Sequence, residues 1–179
     1  MFIFAAALLV CSLVGCQKKV HTPELKNPEL GEEFQSFGNK IDMSQSNKFD
    51  EALFCGTWVV DRQFGVDVYV DGQLQSSEMH QNDHDLSLEW TLNEDHTMIE
   101  VVGGDKNYSY KWLYVHNYLM MYCPDLDHSE CYEVVDVKDD VVQLCYWRVL
   151  TPEGGYSFYY YPVMKGEAER YVFKFKAKR

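Results

Sequence analysis

The sequence predicts an all-β domain, an antiparallel up-and-down barrel of eight to ten strands preceded by a short helical turn. Three observations carry that prediction. After Trp58 the apolar residues recur with a period of two rather than about 3.6, as on strands with one sheltered face. The strand-like segments are separated by short connections, Asn93–His96, Gly103-Gly104-Asp105, His116-Asn117 and Asp139-Asp140, which make successive strands antiparallel neighbours. Four separate hairpins or strands, read by parity from their turns, each yield a single apolar face.

Taken in order, the chain opens with Phe2–Val10, an apolar run too short for a membrane-spanning helix of about 20 residues. It reads as the core of a secretory signal. The run ends in Leu13-Val14-Gly15-Cys16, which resembles the lipobox of bacterial lipoproteins, whose Cys is acylated and becomes the mature N-terminus. That resemblance implies a signal peptide over 1–15 and lipidation at Cys16. Gln17 stands where an Asp would resemble an inner-membrane retention signal, and Lys18-Lys19 replace the acidic run of a surface-export signal. The implied anchor is therefore in the outer membrane, with the domain facing the periplasm and the membrane as partner through the lipid.

Residues 16–46 are polar, with Pro23, Pro28, Gly31 and Gly38, and read as a tether. The domain proper is expected over 47–179. Ser46 to Leu53 fits one capped helical turn with its acids in the first turn. Strands are expected at Thr57–Phe64, with Val66–Val70 as a continuation past Gly65, then at Leu86–Leu92, Thr97–Val102, Tyr108–Val115, Tyr118–Cys123, Cys131–Val137 and Val141–Leu150. Tyr156–Tyr161 and Tyr171–Phe175 complete the set, and the polar stretch Asp71–Asp83 is expected to be a loop.

Parity then assigns the inner face. A two-residue turn at His116-Asn117 puts Tyr110, Trp112, Leu119 and Met121 together, with Ser109 and Lys111 opposite. The Asp139-Asp140 turn groups Val135, Val137, Val142, Leu144 and Tyr146, and leaves Glu133 facing inward as well. Around Asn93–His96, Leu88 and Trp90 align with Val101 and Ile99. Tyr171, Phe173 and Phe175 alternate with Lys174 and Lys176.

The same parity places Cys123 and Cys131 on the inner face of facing strands across the loop 124–130, so a disulfide is expected between them. Cys11 leaves with the signal and Cys16 takes lipid. Cys55 and Cys145 read as outward and too far apart for disulfide geometry, or simply as free thiols.

The chain has 179 residues and a formal net charge of −12. That much acid excludes nucleic acid as a partner, since phosphates call for a basic patch. Its distribution is uneven. From Asp50 to Asp105 there are thirteen acidic residues against Arg62 alone, whereas Lys165 to Arg179 holds six basic residues against Glu167 and Glu169. In a closed barrel the first and last strands are neighbours, so these opposite charges should meet at the seam.

Phe54-Cys55-Gly56-Thr57-Trp58, with Gly-x-Trp at the mouth of the first strand, resembles the opening of the lipocalin-like barrels. Glu94-Asp95-His96-Thr97 is similar to that family's hairpin between early strands. Tyr108-Ser109-Tyr110-Lys111-Trp112 followed by Asn117-Tyr118-Leu119-Met120-Met121 is similar to its mid-barrel hairpin. The resemblance covers Phe54 to the C-terminus and departs from the pattern in the last strands. It implies structural roles for Gly56 and Trp58, the Trp closing the floor of the barrel. It further implies an Arg over the Trp58 ring, with Arg179 as the positional match and Arg170 as the alternative.

Catalytic machinery is not visible in the sequence. It contains no Gly-rich phosphate cradle and no nucleophile elbow. His80, Asp83, His84 and Asp85 lie in a polar stretch where spacing implies no third ligand, and Asp125, Asp127 and Glu130 lack the spacing of a calcium loop. No enzyme, no metal and no cofactor is therefore expected.

The aromatic interior is the remaining candidate site, lined by Leu88, Trp90, Ile99, Val101, Tyr110, Trp112, Leu119, Met121, Leu144 and Tyr146. Small barrels are either filled by their own side chains or hold one small ligand. The first reading is an envelope lipoprotein that binds a small apolar or amphipathic molecule. The second is a filled barrel acting as an interaction module for an envelope protein partner. In either case Trp58→Ala should cost about 3–5 kcal/mol in chemical denaturation, and a loss below about 1 kcal/mol would show that Trp58 does not plug the floor.

Overall fold

A computed structural model of the chain describes residues 26–81, 87–151 and 154–178. Among the described residues ten antiparallel strands follow one another: β1 (Gly56–Val70), β2 (Gln73–Gln81), β3 (Leu88–Leu92), β4 (Thr97–Val102), β5 (Lys106–Val115), β6 (Tyr118–Cys123), β7 (His128–Lys138), β8 (Val141–Leu150), β9 (Tyr156–Tyr159) and β10 (Glu167–Ala177). Eight of them close a barrel in the order β1-β3-β4-β5-β6-β7-β8-β10, and β10 returns to β1. The short helical turn before the barrel is a 3-10 turn at Glu51–Phe54, capped by Asp50, whose side chain accepts from the Ala52 N–H. The cap expected at Ser46 is thus supplied four residues later.

The turns explain why these strands pair as they do. His116 and Asn117 both have positive φ, as do Asp139 and Asp140. That is the conformation of the two-residue turn whose twist matches the flanking strands. Asp71 and Gly72 form a third such pair, joining Val70 to Gln73. The stretch after Asp71 is therefore not the expected loop but β2, a strand exposed along its whole length. With water on both faces it has no apolar alternation, and Asp-Gly was its one sequence signal.

β1 is long enough to serve two purposes. Its first part pairs with β3 and its second part with β2, while β10 follows it throughout. Beyond the barrel rim, β1 and β2 together with the ends of β8, β9 and β10 form a lip on one side of the open end. Gly56 opens β1 at φ 139°, a conformation side-chain-bearing residues rarely adopt, and open space surrounds it, so the backbone angle is the constraint there. Trp58 is buried, pairs with Trp90 across the sheet and donates from Nε1 to the Phe54 carbonyl at 2.8 Å. It sits at the closed end with Phe54, Leu92, Met98, Trp112 and Tyr114. Arg179 lies outside the described residues. Arg170 stands over Trp147 at 5.9 Å, on the outer face of β10.

The expected seam charges meet. Lys176 pairs with Asp61 at 2.7 Å, Lys178 with Glu89 at 2.6 Å and Arg170 with Asp67 at 3.7 Å. The two pairs made by exposed lysines add about 0–1 kcal/mol each, so they decorate a closure that the strand ladder makes.

The expected tether over 16–46 is corrected across its described part. From Pro28 to Ile41 the chain makes two 3-10 turns and lays Leu30, Phe34, Phe37 and Ile41 on the outside of the barrel, against Tyr118, Met120 and Cys131. Polar contacts pin this strap. Asn47 Oδ1 accepts from the Asn117 N–H at 3.0 Å, Tyr118 Oη accepts from the Asp42 N–H at 3.2 Å, and Lys111 pairs with Glu33. β6 is consequently buried on both faces.

Two register shifts correct the inner face. The last pair before the β3–β4 turn is Leu92 with Met98, which leaves Asn93 to Thr97 between them, because His96 takes a left-handed conformation and Asp95 Oδ1 accepts from the Thr97 N–H. Met98 and Glu100 therefore point inward, and the expected Ile99 and Val101 point outward, Ile99 being 45% exposed. In β7 a bulge between Val134 and Asp136 reverses the parity of everything upstream. Val134, Tyr132 and Glu130 face the lumen, whereas Glu133 and Cys131 face out. The expected disulfide is overturned with them: Cys123 lies inside opposite His128, Cys131 lies outside opposite Met120, and Cys55, Cys123, Cys131 and Cys145 are all free thiols. No bridge geometry is available to side chains on opposite faces.

Because the strap is what shields Cys131, Phe34→Asp should expose it. Under native conditions iodoacetamide should alkylate Cys131 at least about tenfold faster in the variant than in the wild type, as local opening becomes easier. Cys123 should stay protected, and peptide mapping reads both sites at once. Equal rates at Cys131 would show that the strap contributes no protection.

Candidate functional site

The lumen divides along its length. Toward the closed end it is filled: Trp112, Met98, Met121, Leu119 and Leu144 are each no more than 2% exposed. Trp112 is fixed by donation from Nε1 to the Asn93 carbonyl at 3.0 Å. Toward the open end a cavity of about 510 Å³ remains, within the range of small-molecule sites. Its aromatic wall carries Phe64, Trp90, Tyr132, Tyr146, Tyr171, Phe173 and Phe175, with Leu88 and Val60 beside them.

The rings brace one another. Trp90 stacks on Phe175 with centroids 4.2 Å apart, and Tyr146 stacks on Tyr171 at 5.1 Å. Tyr132 bridges the two groups, 6.0 Å from Trp90 and 6.1 Å from Tyr146. Such packing holds the rings against one another along the wall and opposes their collapse into the hollow.

Polar groups are few and placed. Glu100 is 9% exposed and accepts from Trp90 Nε1 and from Tyr110 Oη, both at 2.9 Å. Burial, and next the charge of Glu100, push the Tyr110 hydroxyl well above its ordinary pKa, so it remains a donor. Glu130 accepts from Tyr132 Oη at 2.7 Å, and its other oxygen lies 3.1 Å from His128 Nε2. Asp61 and Arg62 reach the rim from the irregular part of β1 between Val60 and Phe64. Above the rim, Arg148 pairs with Glu169 and lies over the rings of Tyr156 and Tyr171 at 4.2 and 5.0 Å. A shallower hollow continues from there along Val66, Val68 and Glu78.

Of the residues expected to line a site, Leu88, Trp90 and Tyr146 do so. Tyr110, Trp112, Leu119, Met121 and Leu144 belong to the packed core below it, and Ile99 and Val101 lie on the other face. Phe64, Tyr132, Glu100 and Glu130 were not foreseen. The first follows an irregular stretch of β1, and the others are displaced by the two register shifts. Of the metal-capable set, His80 is on β2, stacked with Phe64 at 5.6 Å and 3.6 Å from Glu78. Asp83, His84 and Asp85 lie outside the described residues, as does Cys16.

A second hollow of about 300 Å³ lies on the outer surface, lined by Tyr69, Glu133, Trp147, Pro162, Met164 and Arg170 among others. Glu133 accepts a weak bond from the Cys145 thiol at 3.6 Å. Burial raises its carboxyl above the ordinary 4.5, and the same burial pushes the Cys145 thiol up to about 12.

No family model matches the chain, and comparison with curated proteins finds no relative.

The raised carboxyl of Glu133 has a consequence for stability. Between pH 4.5 and its folded value, the native state holds a proton that the unfolded chain has released. Stability therefore falls as pH rises through that window and the loss is complete above it. Glu133→Gln, which cannot ionise, should flatten this fall, so urea denaturation at pH 4.5 and pH 8 should show a smaller difference for the variant than for the wild type. Identical differences would remove desolvation of Glu133 as a cause.

Proposed function

We propose that this protein binds a small apolar or amphipathic molecule in the open end of its barrel, and does so as a lipid-anchored protein of the bacterial envelope. The observation that carries the binding reading is the 510 Å³ cavity, walled by braced aromatic rings above a filled lower lumen. An apolar body gains from leaving water for such a wall by about 25 cal/mol per Å² of buried surface. A few carboxylates and one guanidinium at fixed places would orient its polar end.

The location rests on the sequence alone. Phe2–Val10 and Leu13-Val14-Gly15-Cys16 support export and acylation at Cys16, and Gln17 with Lys18-Lys19 supports the outer membrane facing the periplasm. An anchored barrel of this kind would hold its ligand near the membrane without spanning it.

A protein-interaction role has its own support in the lip. Along β2, which is exposed throughout, Leu74 and Met79 are 55% and 64% exposed, and Met164 nearby is 66% exposed. These apolar side chains are scattered singly, which is ordinary for a surface. The cavity is the more specific feature.

Native mass spectrometry of the full chain isolated from its own membranes should detect a retained small molecule in substoichiometric to equimolar amount. Ser87→Trp, placing a large ring at the cavity rim, should reduce its occupancy at least about tenfold with the fold intact by circular dichroism. Consistent recovery of an empty barrel, together with no uptake of added amphiphiles, would overturn the reading.

A further inference from the structure

Resting on the cavity reading above, we infer that the ligand is an organic cation, an ammonium group carried on a hydrocarbon or aromatic body. The observation is a juxtaposition: braced aromatic rings and two carboxylates, Glu100 and Glu130, on the wall of the same hollow.

Each half of the pair points to the same charge. Ring faces carry the negative end of the aromatic quadrupole, and a cation over Trp or Tyr gains most when it is desolvated. Trp90 and Tyr146 stand 6.0 and 6.1 Å from Tyr132 along the wall of the hollow, so a compact cationic head can lie within reach of more than one ring. The carboxylates add acceptor oxygens beside those rings. Glu100 is oriented by two neutral donors, Trp90 Nε1 and Tyr110 Oη. Glu130 is held by the Tyr132 hydroxyl beside His128. An ionised carboxylate offers about four lone-pair directions, so both groups keep capacity for a further donor.

Among the described residues, the other charged side chains on the cavity wall are Asp61 and Arg62. Asp61 is paired with Lys176 from outside the lumen. Among the described residues, Glu100 and Glu130 thus share the wall with Arg62 while Asp61 is taken up by Lys176, so the wall's carboxylates disfavour an anionic head group. The chain's net charge of −12 acts in the same direction over a longer range, concentrating cations around the protein.

Three probes of equal chain length separate the possibilities: octyltrimethylammonium, 1-octanol and octanoate, titrated below micellisation into the full chain by calorimetry. The cation should bind about tenfold more tightly than the alcohol, the scale of a desolvated cation–π contact, and octanoate should bind more weakly than the alcohol. Glu100→Gln should shrink the cation-to-alcohol ratio to within about twofold. Glu130→Gln should shrink it in the same direction and carries the test alone if Glu100→Gln does not fold. Octanoate binding as tightly as the cation, or ratios unchanged in both variants, would overturn the cation assignment while leaving a ligand cavity in place. Binding of none of the three would remove the cavity reading itself.

Discussion

Everything above the floor of this barrel depends on β10 lying between β1 and β8. A sheet with two open edges would expose unpaired backbone groups and flatten, and its apolar face would have nothing to curl around. The eleven-residue β10 contacts β8 and β1 along most of its length. One face of it, Tyr171, Phe173 and Phe175, supplies part of the cavity wall, and the other carries the lysines that meet the acids of β1 and β3. Closure and site are therefore one act of folding. The ion pairs at the seam are too exposed to drive it; backbone pairing and burial of the rings do.

How much of this was legible depends on how far parity can be carried from a turn before something breaks it. From His116-Asn117 it was carried correctly through β5 and β6, since both strands are regular and the turn is of the expected kind. From Asp139-Asp140 it held for Val137, Val142, Leu144 and Tyr146. It then failed at the β7 bulge, which moved Glu133 and Cys131 out and Tyr132 and Glu130 in. Bulges leave little trace in a single sequence, because the extra residue, Val135 here, is as apolar as its neighbours. The β3–β4 connection failed by one residue for a related reason: His96 in a left-handed conformation lengthens the turn. A period of two makes either error total, because every side chain beyond it changes face.

Two further features had signals that were readable but outweighed. Tyr118-Leu119-Met120-Met121 is apolar on both parities, which a strand with one wet face does not require. The strap Leu30, Phe34, Phe37 and Ile41 is the cover that the second face demands, yet its prolines and glycines suggested an unstructured tether. Asp71-Gly72 is a strong hairpin turn, but the polar residues after it suggested a loop. In each case local composition competed with a pairing constraint, and the pairing constraint won.

The positions that parity misassigned are also the ones that give the cavity its chemistry, and the coincidence has a physical basis. Regular strands in a small barrel bring large side chains to the axis at every second residue, which fills the lumen, as it does around Trp112 and Met121. A hollow lined with charge needs departures from that regularity. The irregular stretch of β1 between Val60 and Phe64 brings Asp61 and Arg62 to the rim. The bulge in β7 turns Glu130 inward, and the longer β3–β4 turn sets Glu100 opposite Trp90, where Ile99 was expected. A carboxylate so deeply placed is costly unless its neighbours are arranged for it. Trp90 and Tyr110 are so arranged, each with its only polar side-chain atom on Glu100. Three irregularities thus converge on one end of one lumen, and together hollow and charge it; the proposed binding role rests on that convergence.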